Sequence, residues 1–306
     1  MADQRKGGIA WTDETWNPVT GCTKVSNGCK FCYAERLFPR VYGRDTIVIP
    51  TDMGGITNAD GIFEPLVLRH RPRKFTDVRL HPERLDQPLR WRRPRKIFVN
   101  SMSDLFHPDV PFEFQCSVFA VMALSPQHTF QILTKRPKEM LNFFMRVSLV
   151  DAGEELYQAA GKAWPLPNAH LLVSVEDQPT AEERIPILMR CPAAVRGVSA
   201  EPLLGAIDFG FMAQFEHEDN EGRGVEAIKG LDWIIVGCES GPKRRHMELA
   251  WVRSIKSQCK AAGVPLMVKQ LSTGSGLLGA KNKVVKDLSQ FPEDLRIQEY
   301  PTQEVK

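Results

Sequence analysis

The 306-residue chain has no apolar run approaching the roughly 20 residues of a membrane-spanning helix, so a bilayer-spanning helix is excluded. Its opening, MADQRKGGIAWTDE, holds no apolar signal core, and a cytoplasmic protein is expected. No fixed-period repeat runs through it, so a repeat array is not indicated. It also lacks a strong charge balance. A net charge of +3 leaves partners to be read from local clusters. Cysteine is sparse too, with four of the seven (Cys116, Cys191, Cys238 and Cys259) scattered through apolar or helical surroundings. That spacing argues against a disulfide framework and for reduced thiols.

What is present is an ordinary globular composition, 42% hydrophobic and 25% charged. A short apolar, β-rich run recurs, turns polar at its C-terminal end and leads into a helical pattern. The runs lie at 97–104, 129–136, 170–177, 195–202, 233–241 and 264–272, with helix candidates at 111–125, 136–147, 180–191 and 249–263. Near-continuous apolar strands alternating with amphipathic helices indicate parallel strands joined by helical crossovers. With a first strand just before Cys22, about seven βα units result. The fold class expected is α/β, a partial or complete (β/α) barrel over residues 1–273 with a C-terminal extension over 274–306. Two insertions interrupt it, at about 37–96 and 214–230.

In such barrels the C-terminal ends of the strands line the active face. The polar residues there are Asn100, Ser101, Ser103 and Asp104; Thr134 and Lys135; Ser174, Glu176 and Asp177; Ser199 and Glu201; Glu239 and Ser240; Lys269 and Gln270. One such residue is readily a turn residue; the whole set reads as a site. Ser101, Ser103, Asp104, Lys135, Ser174 and Glu176 are candidates for cofactor contact. Glu201, Glu239 and Lys269 are candidates for the substrate.

The segment GCTKVSNGCKFCYAER places Cys22, Cys29 and Cys32 in a C-x6-C-x2-C arrangement, with Phe31 and Tyr33 beside the last cysteine. Tetrahedral structural zinc needs four ligands, commonly as two paired clusters. Here no second C-x2-C and no neighbouring histidine supply them. A distant ligand would keep zinc open. An iron–sulfur cubane with one thiolate per iron accounts for the number three and leaves one iron free for a small molecule.

This arrangement resembles the radical S-adenosylmethionine (radical SAM) superfamily, whose usual C-x3-C-x-aromatic-C spacing is matched by Cys29, Phe31 and Cys32 but not by the six-residue first gap. Over nearly the whole chain the sequence is similar to an uncharacterised family of bacterial and bacteriophage proteins with this three-cysteine motif. The matching stretches are WTDETWNPVTGCTKVSNGCKFCYAER, HPERLDQPLRWRRPRKIFVNSMSDLFHPDVP, LTKRP, SVEDQPTAEERIP, VSAEPLLG and VGCESG. A weaker likeness points to spore photoproduct lyases, which repair DNA. The resemblance implies a 4Fe–4S cluster on Cys22, Cys29 and Cys32. It also implies S-adenosylmethionine beside Phe31, Tyr33 and the SMSD strand end, and an external one-electron reductant.

Two basic stretches remain, RHRPRKF (69–75) and RWRRPRK (90–96), the second with five Arg or Lys around Trp91. Trp91, Arg92 and Arg93 suit phosphate contact with base stacking, and a DNA or RNA substrate is expected on that ground. A solvated basic face is the competing explanation. So is a non-catalytic nucleic-acid-binding protein with a structural zinc or iron–sulfur site.

Overall fold

The computed structural model describes residues 9–48, 56–57, 63–64, 67–147, 164–210, 227–272 and 283–301, without the side chains of 44–72, 227 and 229. Among these, one sheet dominates. Its strands are β1 Glu14–Trp16, β2 Lys96–Val99, β3 Thr129–Thr134, β4 Ala169–Val175, β5 Val195–Ala200, β6 Trp233–Gly237, β7 Leu266–Ser272 and β8 Val284–Val285. They stand in sequence order, β1 to β7 all parallel and β8 antiparallel to β7. All seven residues of β4 are buried, the mark of a strand covered on both faces. This is the α/β arrangement with parallel strands that the sequence pattern implies.

The helices are α1 Tyr33–Val41, α2 Phe112–Ala123, α3 Pro137–Val147, α4 Gln178–Met189 and α5 Leu249–Ala262. One face of the sheet packs against helices in a core that includes Ile97, Phe119, Phe143, Leu171, Ile185 and Ile255. The alternate side chains meet in a second cluster of Trp11, Phe98, Leu172, Trp233, Ile235 and Met267. In a flat sheet β2 and β6 would lie about 19 Å apart, four spacings of about 4.8 Å. Yet the Trp11 ring lies 4.6 Å from Phe98 on β2 and 6.2 Å from Trp233 on β6. The sheet is therefore strongly curved around these side chains.

Several boundaries are set by local chemistry, some where the sequence pattern places them and some not. The first strand ends at Trp16, and Val19–Thr20 instead pairs antiparallel with Arg79–Leu80. Helix α4 begins at Gln178 because Asp177 caps it: its carboxylate accepts from Thr180 N (3.2 Å) and its own N–H donates to Thr180 Oγ1 (3.1 Å). Helix α5 stops at Gly263, left-handed at φ 71°, as its C-terminal glycine suggests. The long connection at 37–96 opens with the rest of α1 and includes an antiparallel pair, Arg44–Val48 with Val67–Pro72. The other expected insertion, at about 214–230, lies outside the described residues up to 226, as does 273–282 of the C-terminal region. No helix among the described residues is long and apolar enough to cross a membrane.

Candidate metal and cofactor site

After β1 the chain runs on beside the extension of β2, and side chains lace the two together. Asn100, left-handed at φ 59°, accepts from Val19 N (3.2 Å) through Oδ1. Ser103 Oγ donates to Val19 O (2.8 Å), and Ser101 Oγ to Asn17 Oδ1 (3.2 Å). Asp104 is buried and ties β2 to β3. Its carboxylate accepts from Thr134 Oγ1 (2.8 and 2.9 Å), Lys135 N (3.1 Å) and Phe106 N (3.1 Å). The SMSD segment thus forms the platform from which the cysteine loop departs, with its oxygens bonded within the protein.

The loop from Gly21 to Cys32 crosses the C-terminal ends of the strands and is fastened at several of them. Beyond β3, Arg136 donates to Thr23 O (3.0 Å) and Oγ1 (2.8 Å), and His107 Nε2 lies 2.8 Å from the same hydroxyl. Beyond β4, Ser26 Oγ donates to Glu176 Oε1 (2.9 Å). Beyond β6, Arg245 donates to Asn27 Oδ1 (2.8 Å) and O (3.0 Å) while paired with Glu239 (2.5 Å). Returning to β2, Tyr33 Oη donates to Ser101 O (2.6 Å). Lys30 and Arg245 each place a cation over the Phe31 ring, 5.5 Å from its centre.

The charge of Cys29 bears on both Cys22 and Cys32. Burial, helped by the Asp104 carboxylate, pushes the Cys22 thiol up to about 12, and the Arg136 guanidinium opposes it. Burial also raises Cys32, against the N–H groups of Glu35 and Ala34 at the α1 N-terminus and the Lys135 ammonium. No group of three or more His, Cys, Asp or Glu among the described residues is arranged to hold a metal ion. Tetrahedral zinc at about 2.3 Å from each sulfur would need the thiols within about 4 Å of one another. A cubane binds each thiolate on a separate iron. The donor set present is three thiols on one anchored loop.

Beneath the loop lie inward-facing polar groups. Lys135 Nζ is 2.5 Å from Ser174 Oγ and 3.7 Å from Glu176 Oε1. Glu176, fully buried, is also held by Arg184 (3.2 Å). Ser174 Oγ donates to Glu201 O (3.0 Å), and Lys269 pairs with the Glu201 carboxylate (3.0 Å) beside Ser199 (3.2 Å). Of the candidates, the three cysteines, Phe31, Tyr33, Ser101, Ser103, Asp104, Lys135, Ser174, Glu176, Glu201, Glu239 and Lys269 thus come to one end of the sheet.

Trp91, Arg92 and Arg93 do not. They precede β2 and sit at its other end, where the Trp91 ring meets His128 edge-on at 6.1 Å, just before β3. Arg95 pairs with Glu14 (2.8 Å) and Arg90 with Asp86, leaving Arg92 and Arg93 exposed. In the other basic stretch Arg73 is buried and donates to Thr20 Oγ1 (2.9 Å), Thr20 O (3.1 Å) and Asp77 O (2.7 Å); the side chains of 69–72 lie outside the described ones. Sequence reasoning missed Ser26, Asn27, His107, Arg136, Arg184 and Arg245. The only local signal was the polarity of the loop and of the turn after β6.

No curated protein and no solved structure matches the chain. A family profile covers residues 6–286. By that match the chain belongs to the family described as "Protein of unknown function (DUF5131)".

Proposed function

We propose that this protein is an iron–sulfur enzyme of the radical SAM type, built on a partial (β/α) barrel with its site at the C-terminal ends of the strands. The observation that carries this reading is the anchored loop, which carries three thiols over a ring of inward-facing Lys, Glu and Ser. Barrel curvature is supported by the Trp11 contacts. The C-terminal segment adds to it: Ile297 O and Glu299 N pair with β7, and Tyr300 Oη donates to Ala10 O (3.3 Å).

Cys22, Cys29 and Cys32 would hold the cluster as thiolates. When loaded with S-adenosylmethionine and reduced by an external one-electron donor, such a cluster supplies a 5′-deoxyadenosyl radical for hydrogen abstraction. The thiol protons must leave on assembly. Arg136 beside Cys22 and Lys135 beside Cys32 favour that loss, as do the N–H groups at the start of α1. Ser174, Glu176 and Ser199 at the strand ends are buried. Lys269, Glu201 and Lys135 present donors and a carboxylate toward whatever is bound beneath.

A nucleic-acid substrate is not anchored at this site by Trp91, Arg92 and Arg93, which occupy the opposite end of β2. The test is anaerobic reconstitution with metal and sulfide analysis, then spectroscopy of the reduced protein with and without S-adenosylmethionine. About four irons per chain, one per thiolate and one left open, are expected. Cys22→Ala, Cys29→Ala and Cys32→Ala should each abolish that uptake, whereas Cys116→Ala should not. A colourless protein with one tightly held zinc would contradict the reading.

A further inference from the structure

We propose that Arg245 is a positioning residue that sets where Cys29 stands relative to the other two thiols. All three guanidinium nitrogens are used. Nε and Nη2 grip the Glu239 carboxylate (3.0 and 2.5 Å), Nη1 donates to Asn27 Oδ1 (2.8 Å) and Nη2 also donates to Asn27 O (3.0 Å). The Arg245 N–H adds a bond to Glu239 Oε2 (2.8 Å), so the arginine is locked to the end of β6 before it reaches the loop. Asn27 opens the single turn Asn27–Cys29, and its carbonyl also accepts from Lys30 N (3.1 Å).

On the far side of that turn Gly28 lies flush on Glu176, where a Cβ would stand 2.2 Å from Oε1. The turn carrying Cys29 is therefore gripped between β4 and β6. The other two thiols have separate anchors. Cys22 N donates to Phe75 O (2.9 Å) beside Thr23 and Arg136, and Cys32 opens α1. Loss of Arg245 should release Cys29 selectively. Lysine, with one donor centre, cannot hold Glu239 and both Asn27 oxygens at once.

The clasp rests on the iron–sulfur reading only for its second readout. The first is alkylation of the reduced, metal-free full-length protein with iodoacetamide, followed cysteine by cysteine by mass spectrometry. Arg245→Ala combined with Glu239→Gln removes both charges and strands no buried carboxylate. Cys29 should then react about tenfold faster, as loss of a charge-assisted bond allows, with Cys22 unchanged. Arg245→Lys should resemble this double variant. Asn27→Ala, which leaves the ion pair intact, should give a smaller rise confined to Cys29. In the second readout, reconstituted iron content should fall in the double variant while its melting temperature stays near wild type. An unchanged Cys29 rate, or Cys22 and Cys29 quickening together as the whole fold loosens, would overturn the proposal. Should the wild type take up no iron, the iron–sulfur reading fails, and the alkylation pattern still decides the clasp.

Discussion

Asp104 and His170 show how differently a buried polar side chain can be treated. The Asp104 carboxylate has a hydroxyl and two N–H donors around it. Asp104→Ala would leave these donors buried without an acceptor, and a loss of about 1–3 kcal/mol in stability is expected by thermal or urea denaturation. Loss of cofactor affinity in that variant therefore counts only where the fold is shown to be intact. His170, on β4, is buried with neither ring nitrogen hydrogen-bonded, and burial lowers its pKa from 6.5 to about 4. The unfolded chain takes up a proton at this histidine below its ordinary pKa, whereas the folded chain does so only near 4. Stability from this residue is thus fully present above pH 6.5 and is lost as pH falls through the window to about 4, a loss of up to about 3 kcal/mol. Melting curves between pH 7 and 4.5 should show a decline that is shallower in His170→Gln.

At the scale of the element, the cysteine loop is a short segment with little regular structure of its own, held by the ends of its neighbours. Its one turn, Asn27–Cys29, has no side-chain cap bond at its N-terminus, so its position comes from Ser26, Asn27 and Gly28 against β4 and β6. Gly28→Ala would drive a methyl into Glu176, a fully buried residue already fastened by Arg184 and Ser26. The loop should give way first. A cost of about 1–3 kcal/mol is expected by denaturation, together with impaired iron uptake on reconstitution. Gly263 is a useful contrast, because a Cβ there would meet nothing within 4 Å and only its left-handed φ opposes substitution. Gly263→Ala should cost about 1 kcal/mol and leave iron uptake unaltered.

Across the whole molecule the two ends of the sheet are chemically different. The C-terminal ends carry the thiols and the paired Lys, Glu and Arg groups. The opposite end carries Trp11, Trp233 and Tyr300, with Lys96 Nζ 3.6 Å from the Tyr300 ring, and the exposed Arg92 and Arg93. Reversing charge at Arg92 and Arg93 should change iron content and S-adenosylmethionine cleavage by less than the scatter between preparations, since both lie a strand's length from the loop. If the same variant weakens binding of single-stranded DNA with a reduced salt slope, a separate nucleic-acid surface exists at that end. If both variant and wild type fail to bind at physiological salt, the cluster is a solvated face.

Much of this architecture was legible in the residues alone. Apolar runs turning polar at their ends marked β2 to β7, Gly263 marked the end of α5, and the crowding of Cys22, Cys29 and Cys32 marked the loop, whereas the start of α4 at Gln178, capped by Asp177, was placed two residues late. Each is a short-range signal, written in the period of a strand or the chemistry of a few neighbouring residues. The remoteness of Trp91 was missed, although whatever precedes a parallel strand lies at the end away from its C-terminal residues. Arg245 was not legible. It stands 218 residues from Asn27, and nothing in KRRH distinguishes it from Arg244 beside it. Sequence alone thus determined which elements form and which end of each is polar, since those depend on local periodicity. Which arginine grips the loop, which glutamate stops its glycine and how far the sheet curves were decided only in the tertiary structure, where strand order and curvature bring residues distant in the chain within hydrogen-bond range.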